Sequence, residues 1–415
     1  MGPLPKAAAL LLSLASVSSA AGFCSLDADS VRRIVSCASQ VSLAKCRQTA
    51  ERHGCAVLRE LPSINAVVIQ LSSRRVFFEE AKMRNEREIE RVDEDKVQRW
   101  LKTSDFSVSL PKTARFAKSP AVLEPPELDE QPWGIRRVGA AAAWTRYQGA
   151  GVKVAVIDTG IDDSHPDLAG VVAGGFNALE PGKEWKDDEG HGTHVAGTIA
   201  ALRDGKGVVG VAPKARLYAV KVLDKNGNGT YSDIIAGLEW ATKNGMDVAN
   251  MSLGAPEGNE PLHKAVIAAE KAGLVLVAAA GNEDGGPVTY PGAYPETIAV
   301  GASNNQDAWA KFSSKGPQVA VIAPGEDIKS TVPGGSYAEM SGTSMASPHI
   351  AGMAALLVES GTRGRAAVLA RLLAAALPLP NVGADMQGAG MPDAGRLFGA
   401  ERPVAAASAG GAPGR

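Results

Sequence analysis

Val154-Ala-Val-Ile-Asp-Thr-Gly160 is the stretch on which the fold class turns. Val152–Ile157 is a short, largely apolar run, the pattern of a strand buried on both faces of a parallel sheet. It ends at Asp158, and Thr-Gly supplies the turn. Similar runs recur at Leu217–Leu223, Val248–Leu253, Leu274–Ala280 and Thr297–Ala302. Between them lie helical stretches at His191–Leu202, Tyr231–Lys243 and Glu260–Ala272. Ser344–Glu359 follows the last strands, with Pro348 near its first turn, where proline is tolerated. From Pro132 onward this alternation predicts an α/β fold: a doubly wound, mostly parallel sheet with functional residues beyond the carboxyl ends of its strands.

Two further motifs carry chemistry. Gly190-His-Gly-Thr-His194 places His191 at the head of a helical pattern, and Gly342-Thr-Ser-Met-Ala-Ser-Pro-His349 places Ser344 where another helix begins. A helix start exposes backbone N–H groups and positive potential to a developing oxyanion. A serine hydroxyl is a poor nucleophile until a neighbouring base takes its proton, so His191 is the candidate base and Asp158 the acid that orients it. The order Asp, His, Ser and all three motifs resemble the subtilisin-like serine proteases, over about Pro132 to Phe398. The resemblance implies peptide-bond hydrolysis through an acyl-enzyme, with Asn282 of Val277-Ala-Ala-Ala-Gly-Asn282 as an oxyanion donor. His194, His349 and His165 are read as structural.

Substrate is expected to bind as an extended strand. The resemblance puts one edge of that site at Asn226, Gly227, Asn228 and Gly229, and the other at Ser252, Leu253 and Gly254. Glycine lets a peptide backbone approach closely. Ser252–Gly254 and Ala279, Ala280 and Gly281 are expected to wall the specificity pocket, with Thr289 near its base. Thr289 replaces the glycine common in the family, so the pocket is expected to be short and to favour Leu or Met over Phe or Tyr. Glu283 at the rim and the acids Asp187-Asp-Glu189 are compatible with basic substrate residues, or with a solvated loop. The resemblance also implies a structural Ca2+ held by Asp167, Asp204 and the carbonyls of Leu202, Lys206 and Val208. A second cation site of some relatives is not expected, because Gln318 and Ala320 replace its carboxylates.

Ahead of this domain, residues 1–21 read as a signal peptide, with Lys6, an apolar run from Ala7 to Val17 and small residues at the cleavage point. Secretion follows as the expectation. Residues 22–55 hold all four cysteines, Cys24, Cys37, Cys46 and Cys55. An even count in an exported chain suggests two disulfides with three possible pairings, and the spacing lacks the close CxxC pairs of zinc sites. Residues 56–101 read as a small α+β module: strands at Ala56–Leu61 and Ala66–Leu71, a helix within Ser72–Asn85, and Ile89–Val97 to close it. Ile89-Glu-Arg-Val-Asp-Glu-Asp95 resembles the end of the ferredoxin-like propeptide that inhibits and helps fold many subtilisin-like proteases. Residues 102–131 are proline-rich and read as a linker with the maturation site, either near Leu101 or closer to Gln131. The catalytic domain is set at 132–400, and the tail 401–415 is too rich in Ala, Gly and Pro to expect a packed structure.

Across 415 residues the formal net charge is −2, which gives no reason to expect a nucleic-acid partner. No segment after the signal suits a membrane span, so a monomer acting on polypeptides, with its own propeptide as inhibitor, is expected. Three other functions compete with this reading: a catalytically dead binding module on the same fold, a lipase or esterase, and a processing protease of narrow basic specificity. The intact Asp158, His191, Ser344 and Asn282 oppose the first, and the lack of a GxSxG elbow around Ser344 opposes the second. The acids near His191 keep the third open.

Overall fold

The computed structural model describes residues 30–102 and 129–399. The signal peptide, most of the linker and the tail therefore lie outside the described residues. The first unit is a leading module with β1 (Ser30–Cys37), α1 (Leu43–Arg52), β2 (Ala56–Leu61), β3 (Ala66–Ser72), α2 (Val76–Met83) and β4 (Ile89–Glu94). Its antiparallel sheet has the order β2-β3-β1-β4. The boundary expected at residue 56 is corrected by this topology. β1 is a central strand, so the cysteine-bearing segment is half of the module rather than a separate piece. Cys37 and Cys46 form a disulfide that ties β1 to α1. Cys24 lies outside the described residues.

The expected closing strand also divides in two. β4 stays in the module, while β5 (Val97–Arg99) leaves it for the large domain.

The large domain adds α3 (Trp133–Arg137), β6 (Lys153–Asp158), β7 (Val172–Asn177), α4 (His191–Ala200), β8 (Arg216–Lys221), β9 (Asn228–Thr230) and α5 (Tyr231–Lys243). After these come β10 (Val248–Met251), α6 (Glu260–Lys271), β11 (Val275–Ala279), β12 (Ile298–Ser303), β13 (Val319–Pro324), the hairpin β14 (Ile328–Val332) and β15 (Ser336–Met340), α7 (Thr343–Glu359) and α8 (Arg365–Ala375). The parallel sheet runs β13-β12-β11-β10-β6-β8-β7. Its apolar strands are sandwiched as their composition requires. Val154, Val156 and Val277 face a core shared with α4 and α7, while Ala155, Ile157 and Leu276 face one shared with α5 and α6. Among the described residues no helix is long and apolar enough to cross a membrane.

The leading module docks on the α5–α6 face. Ile34, Leu61 and Val68 join the same apolar cluster as Ile235, Leu238 and Leu262. Polar contacts fix the register. Asp95 accepts from the N–H of Ser232 at 2.9 Å and its hydroxyl at 2.8 Å, so a carboxylate of the module sits at the N-terminus of α5. That is where a negative charge is favoured. Arg32 donates to Asp95 at 2.9 Å, and Arg59 to Asp233 at 3.1 Å.

Candidate functional site

Asp158 is the last residue of β6 and fully buried, delivered to the carboxyl edge of the sheet by the apolar run before it. His191 opens α4, and its Nδ1 lies 2.8 Å from Asp158 Oδ1. The N–H of Thr159 donates to that same oxygen at 2.7 Å. Such a carboxylate holds the imidazole in one tautomer and favours its protonated form. Close packing is needed here: a Cβ on Gly192 would lie 2.1 Å from the Gly160 carbonyl, so the residue after His191 has to be glycine.

Ser344 is the second residue of α7, behind an N-cap at Gly342 that offers no side chain. The N–H groups of this first turn have no partner within the helix. Ser344 Oγ donates to the Ser252 carbonyl at 3.2 Å, and Ser252 Oγ donates to the Ser344 carbonyl at 2.7 Å. Asn250 and Ser347, joined at 2.7 Å, pin the next turn of α7 to β10. Asn282 follows β11, and its Oδ1 accepts from the N–H and the hydroxyl of Thr343, both at 2.9 Å. Those two bonds fix which way the amide is flipped, with its donor end turned from Thr343. Thr343 was not singled out from the sequence. Its partner Asn282 lies far away in the chain, which hides the pairing from any local pattern.

The three acids ahead of His191 have three different jobs. Asp187 binds Gly190 N–H at 2.8 Å, Thr193 N–H at 2.9 Å and the Thr193 hydroxyl at 2.6 Å, so it shapes the turn into α4. Asp188 pairs with the buried Lys221 at 2.6 Å. Glu189 accepts the His191 N–H at 2.8 Å, and burial above all pushes its carboxyl up to about 7. Both sequence readings, solvated loop and basic subsite, are too simple for Asp187.

The other histidines are structural in their contacts. His194 Nε2 lies 2.8 Å from the Ile328 carbonyl, and burial lowers its pKa to about 3. His349 Nδ1 lies 2.9 Å from the Met345 carbonyl, with a pKa lowered by burial to about 4. His165 Nδ1 accepts the Asp167 N–H at 3.1 Å.

Of the substrate-binding candidates, Asn228 and Gly229 lie in β9, which pairs antiparallel with β5 (Gln98 opposite Gly229, Arg99 opposite Asn228). Gly227 takes the Trp100 N–H on its carbonyl at 2.9 Å, and Gly254 donates to the Trp100 carbonyl at 3.1 Å. Asn226 turns the chain into this edge through its N–H to Asp224, 2.8 Å. Leu253, Gly254, Ala279, Gly281 and Thr289 line one small cavity together with Asn282 and Ser344. Ser252 and Ala280, also expected in the wall, sit next to these residues in the chain. The Ala280 carbonyl receives the Thr289 N–H at 2.9 Å.

The expected calcium ligands converge in part. Asp167 is buried, and its Oδ2 accepts the Val208 N–H at 2.8 Å. A Cβ on Gly207 would lie 2.2 Å from both Asp167 oxygens, so the loop passes hard against the carboxylate. Among the described residues no backbone N–H donates to the carbonyls of Leu202, Lys206 or Val208. Asp129, missed from the sequence, accepts the N–H groups of Asp204 (3.0 Å) and Gly205 (2.8 Å). A buried carboxylate against a loop whose Leu202, Lys206 and Val208 carbonyls take no backbone N–H among the described residues offers the oxygen donors that suit a hard cation. Among the described residues no cluster of three or more His, Cys, Asp or Glu side chains is arranged for a metal. A carbonyl-rich site does not need one.

Comparison with known proteins agrees with this geometry. The model of the subtilase family matches residues 149–390. Subtilisin E of Bacillus subtilis (strain 168) is 54% identical over 233 residues, covering 55% of this chain and 61% of the relative. Subtilisin of Bacillus pumilus is 53% identical over 233 residues, 55% of this chain and 84% of the relative. Subtilisin Savinase of Lederbergia lenta is 52% identical over 227 residues, 54% of this chain and 83% of the relative. The match thus spans less than two thirds of subtilisin E.

Proposed function

Because the chain belongs to the subtilase family, we propose that it is a secreted serine endopeptidase made as a self-processing zymogen. The observation that carries this reading is the buried Asp158–His191 hydrogen bond of 2.8 Å in a domain that presents Ser344 at the start of α7. Ser344 Oγ adds to the scissile carbonyl carbon while its proton passes to His191 Nε2. The oxyanion is held by the Ser344 N–H and the Asn282 amide. Collapse breaks the C–N bond, the proton on His191 goes to the leaving amine, and an ester to Ser344 remains. Water then attacks that ester by the same route, releasing the carboxylate product and restoring Ser344. Asp158 stays ionised and keeps Nδ1–H in place.

The substrates are polypeptides, bound as a strand between β9 and Ser252–Gly254. The way β5 occupies that edge supports this, and it supports the module as inhibitor of its own enzyme. Thr289 is buried, with its hydroxyl 2.3 Å from where a Cβ on Gly254 would stand. A pocket floored in this way favours Leu or Met over Phe or Tyr, and a peptide library in which Phe and Tyr rank first would refute it. Calcium bound by Asp167, Asp204 and the carbonyls of Leu202, Lys206 and Val208 would supply charge that clamps the loop. Removing it with a chelator is expected to lower the melting temperature; an unchanged transition would remove calcium from the account. The leader read in the sequence at 1–21 supports export.

The decisive experiment is labelling with a fluorophosphonate alongside casein hydrolysis, wild type against Ser344→Ala. Both signals are expected in wild type only. Equal labelling and hydrolysis in the variant would overturn the reading.

A further inference from the structure

We propose that the outer face of α2, in the leading module, docks on a bilayer surface rich in anionic lipid. A helix of a small domain ordinarily turns its large apolar side chains inward and its carboxylates to water. α2 (Val76–Met83) does the reverse. Val76, Glu79, Glu80 and Met83 share one helical face, and that face meets the module's sheet. Met83 is buried in the cluster around Val35 with Val76 packed against it, while the Glu79 and Glu80 side chains are only 12% and 18% exposed. The opposite face carries Phe77, 89% exposed, and Phe78, 61% exposed. Adjacent rings left in water mark a contact surface.

Charge decides what those rings meet. The acids of the helix are matched from within the module. Glu79 lies 3.5 Å from Lys82 Nζ and 3.6 Å from His53 Nδ1, and Glu80 pairs with Arg33 and stands 3.6 Å from Arg84. Past the helix, Glu86 meets His53 at 2.8 Å, and Glu90 is held by Lys264 of the large domain at 3.0 Å. The bases stay outside: Arg74 and Arg75 precede the rings, Lys82, Arg84 and Arg87 follow them, and all five are exposed. The Lys82 ammonium sits 4.1 Å from the centre of the Phe78 ring, so charge and ring are presented together.

A second copy of this face would bring like charges together, which opposes self-association. A soluble polyanion would satisfy the bases and leave both rings in water. A bilayer with anionic headgroups takes both: the rings enter the boundary between headgroup and acyl chain, and the long basic side chains reach the phosphates. The large domain docks on the other face of the module's sheet, through Ile34, Leu61 and Val68, so it stands away from that surface.

The test uses the Ser344→Ala chain without residues 1–21, which keeps the module attached and removes the leader's own apolar run. The chain is sedimented at low salt with vesicles of phosphatidylglycerol and phosphatidylcholine in equal parts, and with vesicles of phosphatidylcholine alone. Binding to the mixed vesicles is expected, at least about tenfold tighter than to phosphatidylcholine. Phe77→Ser with Phe78→Ser is expected to lower that partition about tenfold or more. Arg74→Gln with Arg75→Gln is expected to lower it about 30-fold. Lys214→Gln with Lys243→Gln removes the same charge from exposed bases of the large domain, and is expected to change it less than about twofold. Brominated lipid is expected to quench the emission added by Phe77→Trp. No partition into the mixed vesicles overturns the proposal. A partition that survives loss of both rings also does, and marks a polyanion site instead. An equal fall with the large-domain pair overturns it too, because diffuse charge then suffices. Melting curves check each fold, and an unquenched Phe77→Trp overturns the proposal independently should the paired ring variant fold poorly.

Discussion

In the large domain the helix that carries Ser344 is buried along its length from Thr343 to Val358, inside a core made only of that domain's own residues. The leading module is built otherwise. Neighbouring residues of β1 part company there: Val35 faces a private cluster with Cys46, Val67, Ile69 and Met83, whereas Ile34 faces Leu238 and Ile235 across the interface. A module this small buries a modest share of its surface on its own. Lending one face of its sheet to a partner adds the energy of docking to what its private cluster supplies. One region is finished alone; the other is finished by contact.

That contrast can be tested from the chemistry outward. Ser344→Ala is expected to cut kcat by about 10^6-fold, a magnitude carried over from measurements on a subtilisin. The melting transition is expected to stay within about 1 kcal/mol of wild type, since one hydroxyl is lost from an intact core. Asn282→Ala is expected to lower kcat by about 10^2–10^3-fold with little change in KM, a range that also comes from a subtilisin. Steady-state kinetics separates these two, and a KM effect alone would show that Asn282 serves binding.

The next pair addresses the interface directly. Ile34→Ala is expected to weaken inhibition of the separated large domain by the module by about 2 kcal/mol, or roughly 30-fold. Val35→Ala is expected to destabilise the free module by a similar amount, about 1–3 kcal/mol. Inhibition constants and circular dichroism of the module measure the two, and equal effects in both assays would erase the distinction between its faces.

The smallest expected effect is electrostatic. Burial raises the Glu189 carboxyl from 4.5 to about 7, so the folded chain holds this proton more tightly than the unfolded chain does. The resulting stability is fully present below 4.5 and is lost as pH rises to about 7. Glu189→Gln is expected to flatten that slope in denaturant titrations. It is also expected to move the acid limb of kcat/KM down by a few tenths of a pH unit, because ionised Glu189 attracts a proton onto His191. A shift in the opposite direction would contradict the charge argument.

The central sheet and the site residues could be read in the chain because both are local signals. Val154–Asp158 is apolar and ends on an acid, and the groups after it head helices. What escaped was non-local. β7 carries Ala-Gly-Gly in place of an apolar run and is recognisable only once it lies beside β8. β1 alternates poorly because Arg32 and Arg33 are spent on long-range ion pairs, to Asp95 and to Glu80, so its sequence reads only as part of a cysteine-bearing segment. The roles of Asp187 and Thr343 are set by hydrogen bonds to partners that no sequence window contains.

The burial of α7 also has a meaning for the order in which the protein is made. Strands β6, β10 and β11 and the helices α5 and α6 all precede it in the chain, so synthesis can complete one face of the sheet while the other still lacks its cover. Contacts between such distant segments are reached only after the loop-closure entropy has been spent, which makes parallel sheets slow to form and exposed to aggregation meanwhile. The serine arrives on α7, after α4 has begun to cover that face and before α8 completes it. A chain made only as far as β15 therefore carries Asp158 and His191 without the nucleophile.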